Sequence, residues 1–170
     1  MKSWQKSGRS LRHFATDQRR VRKAFSDAAL TRIGAAIAEG EKHHRGQLRF
    51  VVEPALPLAR VWRGISPRER ALEVFGLLRI WDTEENCGVL VYLLLADKAV
   101  EIVADRGIHR VVGDVAWAAI CKKMEAAFAH GHNADAVDVG IADINALLTR
   151  HFPDDGRPRE NELPDAPLVL

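Results

Sequence analysis

Eight consecutive apolar residues, Val89 to Ala96, lie between Gly88 and Asp97-Lys98. A run this short cannot cross a bilayer, which takes about 20 residues. Its residues are apolar at every position rather than at alternate ones, as in a strand covered on both faces. Val100 to Ala104 is a second strand-like run after a short polar turn, so residues 89–104 are predicted to form an antiparallel hairpin. A strand covered on both faces needs an apolar layer on each side, which narrows the chain to a layered architecture.

The rest of the chain supplies those layers. Gln47 to Glu53 reads as a strand with Leu48, Phe50 and Val52 on one face. Ser26 is a candidate cap for a helix carrying Leu30, Ile33 and Ile37 that ends around Glu41 to Arg45. Pro54 and Pro57 open a connection of about a dozen residues. Ser66-Pro67-Arg68-Glu69 has the form of a capping box with proline at the first helical position, and Leu72, Phe75 and Leu78 are predicted as the buried stripe. Asp114 is a candidate cap for a helix carrying Trp117, Ile120, Cys121, Met124 and Phe128. After Gly131 comes a last helix carrying Val137, Ile141, Ile144 and Leu148. The expected fold is α/β: a three-layer α/β/α sandwich with a mixed sheet that contains the antiparallel hairpin.

At 170 residues, 47% hydrophobic and 28% charged, the chain can build one core without disulfide or metal. Cys87 and Cys121 lie far apart and outside any CxxC, so both are expected reduced and buried. Residues 1–13 contain no apolar stretch of a secretory leader, and cytoplasmic location is the expectation. The net charge of +2 is uneven. Residues 1–23 hold eight basic residues, from Lys2 and Lys6 to Lys23, against Asp17 alone; the other 17 basic and 22 acidic residues leave the body at −5.

Three segments result. Residues 1–25 form a basic, partly helical arm with Leu11, Phe14, Val21 and Phe25 near one stripe. They are expected to pack on the core, or else to meet an anionic membrane or a protein partner through Trp4, Phe14 and Arg19 to Lys23. Residues 26–152 form the α/β domain. Residues 153–170, with four of the seven prolines, read as a flexible tail. The acidic body argues against nucleic acid.

The topology gathers chemistry at one end of the sheet. If strands 47–53 and 89–95 are parallel and 100–104 returns, the loop Asp82 to Asn86 meets the turn Asp105-Arg106-Gly107 and the approach to Asp114. Clustered oxygens of this kind suit a hard cation such as Ca²⁺ or Mg²⁺. The same residues also read as a solvated loop, a turn former and a cap. Asp97 falls at the opposite end, and Glu101 is expected on a solvent-facing side. His43-His44 and His130-Gly131-His132 lack the usual spacing of zinc ligands, and no GxSxG, P-loop or GxGxxG occurs.

The run Arg79-Ile80-Trp81-Asp82-Thr83-Glu84-Glu85-Asn86-Cys87-Gly88-Val89-Leu90-Val91-Tyr92, continued by Asp97 to Ile108, resembles the TPM domain family over about residues 26–152. That resemblance implies a mixed sheet between helices, a divalent cation (Ca²⁺ ahead of Mg²⁺) in an acidic pocket, no organic cofactor, and metal-assisted phosphomonoester hydrolysis as the activity if the domain is an enzyme. The matching pocket positions are Asp82, Asn86 and Asp105, with Glu85 where many relatives have Asn; Arg106 is the implied phosphate contact. The family turn Gly-x-Gly-hydrophobic-Glu is replaced by Asp105-Arg106-Gly107-Ile108-His109. The alternative is a non-catalytic adaptor in membrane or envelope protein maintenance, acting through the arm.

Overall fold

The hairpin forms as expected. In the computed structural model, strand β2 (Gly88–Leu94) pairs antiparallel with β3 (Ala99–Ala104), with Val91 opposite Ile102. Every residue of β2 is buried. The structure describes residues 3–131 and 133–170, with side chains from Ser7 onward; Lys2, the side chains of Trp4 and Lys6, and His132 therefore lie outside the described residues.

Strand β1 (Gln47–Glu53) runs parallel to β2, and helix α5 (Pro67–Leu77) forms part of the crossover between them. The β1–β2 register places Phe50 beside Val91. Alternation along both strands splits the interior in two. Leu48, Phe50, Val52, Val89, Val91 and Leu93 face a large core built with α3 (Asp27–Glu41), α7 (Asp114–Ala129) and α8 (Asn133–His151). Val51, Leu90, Tyr92 and Leu94 face a smaller one built with α4 (Leu58–Arg63) and α5. The α/β/α sandwich is thus a mixed sheet with helices on both faces.

The local signals for the helices act at several of the expected places. Ser26 Oγ accepts from Ala29 N at 3.2 Å. The Ser66/Glu69 capping box closes in both directions. Val137, Ile141, Ile144 and Leu148 are fully buried. Both cysteines are free thiols, Cys87 buried and Cys121 partly so.

Four expectations need correction. First, Gly113, not Asp114, precedes α7 as its cap, and Asp114 is exposed. Second, the stripe of α5 is shifted by one position: Ala71 and Val74 are buried, whereas Leu72 faces solvent. That rotation lets Arg70 reach Glu53 on β1 at 2.8 Å. Third, the connection after Pro57 contains α4, and Asp105 begins α6 (Arg106–Val112) rather than merely ending a strand. Short helices held by neighbouring elements carry little periodicity of their own.

The fourth concerns the tail. Leu168–Val169 forms strand β4, parallel to β1 at Val51 and Val52, giving the sheet order β3-β2-β1-β4. Upstream, Gln47 Oε1 accepts from Glu162 N at 2.9 Å and from Leu163 N at 3.2 Å, and Leu163 is buried in the smaller core. Arg49 donates to the carbonyls of Pro164 and Ala166. The segment is docked because the outer edge of β1 would otherwise present unpaired backbone to solvent. At the other edge, Arg68 donates to Ile102 O and Glu125 Oε1 accepts from Val100 N at 3.1 Å.

The arm divides differently from the expected single stripe. Helix α1 (Ser3–Ala15) and α2 (Gln18–Ala24) are separated at Asp17, whose carboxylate caps α2 by accepting from Arg20 N. Val21 and Phe25 enter the large core, but Leu11 and Phe14 are 68% and 77% exposed. The face that α1 turns inward is polar instead. Arg9 bonds Asp97 and Ile65 O, and the buried His13 accepts from Leu56 N at 2.9 Å and lies 3.2 Å from Asp97.

Candidate functional site at the β2–β3 end

The backbone between α5 and β2 is shaped by local hydrogen bonds before any side-chain chemistry. Thr83 is buried; its Oγ1 accepts from Cys87 N at 2.9 Å and its carbonyl accepts from Asn86 N at 3.1 Å. This tight closure turns Asn86 left-handed (φ +53°), a conformation asparagine tolerates better than most residues. The loop then feeds directly into β2 at Gly88, whose carbonyl accepts from Asp105 N at 2.8 Å. Asp105 caps α6: its Oδ1 accepts from Arg106 N at 2.6 Å.

Loop and turn therefore meet, as the strand order required. A Cβ on Gly107 would stand 2.5 Å from Asn86 O and 3.2 Å from Glu85 O. Only glycine lets α6 approach the loop so closely. Two carbonyl oxygens of the acidic loop consequently lie against the start of α6.

The side chains are less concentrated than their spacing suggested. Asp82 is half-exposed and paired with Arg79. Glu85 is held between Arg45 (2.8 Å) and Arg159 (3.2 Å), and Arg159 also bonds Asp154 and Asp155. The amide of Glu84 donates to Glu162. Arg45, Glu84, Glu85, Arg159 and Glu162 surround a cavity of about 340 Å³ beside the buried Cys87, whose thiol is pushed up by desolvation. Asn86 and Arg106 are exposed. Asp114 is 3.8 Å from His109 and is not gathered with the loop.

Asp105 is the exception. The residue is only 6% exposed, and while Oδ1 is engaged by the helix cap, Oδ2 is buried without a hydrogen-bond partner. A buried carboxylate oxygen carries a desolvation cost that a partner would offset. The donor set fits a cation only in part. Among the described residues no cluster of three or more His, Cys, Asp or Glu side chains is arranged around an ion. Backbone carbonyls and the Asn86 amide would have to complete the shell, a mixture that calcium accepts more readily than magnesium.

His43 and His44 have other partners. His44 is buried and bonds Asn145 Oδ1 at 3.1 Å, while Asn145 Nδ2 donates to Ala36 O. That network makes His44 Nε2 the protonated nitrogen, and burial lowers the pKa of the ring. His43 is exposed near Glu39. Spacing alone missed the two arginines on Glu85. Arg45 lies 40 residues and Arg159 74 residues from Glu85, beyond the reach of any local spacing rule.

These features define a mixed-sheet domain whose loop and helix cap converge on one buried acid. A family model for the TPM domain matches residues 19–147, and the chain belongs to that family. Among solved structures it is similar to the BA42 protein of the psychrophilic bacterium Bizionia argentinensis, determined by NMR. The two share 27% identity and a TM-score of 0.75, over 86% of this chain and 95% of that one. Among curated proteins there is no match. No helix among the described residues is long and apolar enough to cross a membrane.

Proposed function

We propose that this TPM domain binds a divalent cation, Ca²⁺ ahead of Mg²⁺, at Asp105, with the carbonyl side of the 82–87 loop and Asn86 completing the site. The observation that carries this reading is the buried, unpartnered Oδ2 of Asp105. Glu85 and Asp82 join only by releasing their arginines, so they act as outer, exchangeable carboxylates. Arg106, exposed at the first turn of α6 and next to Asp105 in sequence, would hold a phosphate oxygen in this reading. A bound cation would supply charge neutralisation for a phosphomonoester. Among the described residues no nucleophile–base pair accompanies Asp105, so binding comes before catalysis in this reading, and hydrolysis is its extension.

The test is thermal unfolding of EDTA-treated protein with Ca²⁺ or Mg²⁺ added. Binding at a hundredfold excess over Kd stabilises by about 2.7 kcal/mol and moves the midpoint by several degrees. Asp105→Asn keeps the cap oxygen and should abolish the shift, while Asp82→Asn reports whether the outer carboxylate takes part. A midpoint indifferent to both ions, or a shift that survives Asp105→Asn, removes the site.

A second reading rests on a different observation: α1 exposes Leu11 and Phe14. With Arg19, Arg20, Arg22 and Lys23 exposed on the following helix, this arm has the composition of a surface that meets an anionic membrane or an acidic partner. Sedimentation with phosphatidylserine vesicles tests it. Binding that is unchanged in a Leu11→Ser/Phe14→Ser variant would exclude the apolar face.

A further inference from the structure

At three places among the described residues where two arginines converge, a carboxylate stands between them. Arg9 and Arg12 meet at Asp97, Arg60 and Arg70 at Glu73, Arg45 and Arg159 at Glu85. One group of three is different. Arg20 and Lys23 of α2 and Lys98 of the β2–β3 turn line a single cavity of about 560 Å³, and among the described residues no carboxylate lines it. Of the acids close by in sequence, Asp17 caps α2, and Asp97, next to Lys98, is held by Arg9 and Arg12. Three like charges around one space repel each other unless an anion enters.

Two further features point the same way. Lys98 is left-handed (φ +51°), a conformation that costs a lysine about 1 kcal/mol and a glycine almost nothing. A charge kept at a strained position is an observation from which function can be argued. Asn133, the first residue of the 19-residue helix α8, also lines the cavity and brings the positive end of that helix to it. Ala24, Leu95 and Phe128 complete the walls with apolar surface. The volume lies within the range of small-ligand pockets, roughly 300–1,000 Å³, and exceeds what a bare phosphate needs.

We infer that this cavity binds a phosphate monoester: the phosphate among Arg20, Lys23 and Lys98 at the start of α8, its organic group against Ala24, Leu95 and Phe128. The ligand is either a soluble phosphate monoester or the phosphate headgroup of phosphatidic acid, which share this chemistry. The inference does not rest on the Asp105 site. It shares Arg20 and Lys23 with the arm surface, from which the experiment separates it.

Phenyl phosphate is titrated into the full chain while the backbone amides of Lys98 and Asn133 are followed by NMR, and in parallel the protein is sedimented with phosphatidylcholine vesicles with or without phosphatidic acid. Lys98→Gly removes one charge and the backbone strain together, so it should fold at least as well as the parent. It should weaken binding about tenfold or more, as expected for one charge-assisted contact. Arg20→Glu/Lys23→Glu should abolish binding, and Leu11→Ser/Phe14→Ser should leave the phenyl phosphate response unchanged. A response to phenyl phosphate alone assigns a soluble ester; sedimentation with phosphatidic acid that Lys98→Gly weakens assigns the lipid. The inference is overturned if neither probe moves those amides or sediments the protein, or if binding persists undiminished in Lys98→Gly and in the double charge reversal.

Discussion

Tyr92 Oη donates to Glu53 Oε2 at 2.6 Å across the β1–β2 pair, and Arg70 of α5 grips the same carboxylate through both of its oxygens. A strand residue, its neighbour in the sheet and a helix are thereby tied into one buried polar unit in the smaller core. Burial and the neighbouring carboxylate push the Tyr92 phenol well above its ordinary range. Tyr92→Phe should therefore destabilise the protein by about 1–3 kcal/mol, because Glu53 stays buried and loses one donor. Urea unfolding measures this. An unchanged midpoint would mean that Arg70 alone satisfies the carboxylate.

The docked tail makes a second prediction. Leu163 is 6% exposed in the smaller core, so Leu163→Ala should cost about 2–4 kcal/mol, as large-to-small core changes do. Chemical denaturation reads the loss. A value near zero would show that residues 161–170 contribute nothing to the folded state and that the edge of β1 is stable uncovered.

Gly107 carries a third. Any side chain there meets Asn86 O at 2.5 Å, so Gly107→Ala must push the acidic loop away from α6. The expected result is destabilisation of about 1–3 kcal/mol together with loss of any cation-dependent shift in the melting midpoint. A variant that keeps both would show that the loop moves freely and that its carbonyls are not part of the site.

Glu41 sets a pH dependence. Its Oε1 accepts from Leu48 N at 2.6 Å, yet burial, with Asp165 nearby, raises its carboxyl to about 8. A raised carboxyl means that the folded state holds a proton the unfolded chain has released. The contribution is fully present below the ordinary carboxyl value of 4.5 and is lost as pH rises through about 8. Glu41→Gln keeps the acceptor and removes the titration, so its stability advantage over the parent should grow across that window and level off above it. His13 and His44 act oppositely. Burial lowers both, so their contribution is present above their ordinary 6.5 and is lost as pH falls below it.

The inverted helix α1 supplies the last. Arg9→Ala should loosen the arm, because Asp97 and Ile65 O lose their donor. Leu11→Ser/Phe14→Ser should leave stability within about 0.5 kcal/mol, as exposed positions do. Thermal unfolding of the two variants reverses the usual expectation that apolar positions matter most. Equal midpoints would show that α1 is not held by its polar face.

How much of this was legible in the chain depends on the range over which each signal acts. The hairpin, the parallel crossover, the Ser66 capping box and the buried stripe of α8 follow from alternation, caps and three/four spacing, which act over a few residues. The meeting of the 82–87 loop with Asp105 was also legible, because strand order alone brings those ends together. What the sequence could not determine was who neutralises whom. Glu85 appeared as a free acid until Arg159, 74 residues away, was brought beside it. Asp105 read both as a candidate cation ligand and as a turn former, and only packing leaves one of its oxygens buried without a partner. Leu11 and Phe14 read as core, but Asp97, 88 residues from Arg9, attracts the polar face of α1 instead. Local propensity settles which of the longer segments become helices and strands, whereas α4, α6 and β4 form only against their neighbours. Pairing between distant residues, won only when the chain closes, decides which face is buried and which charge remains unanswered.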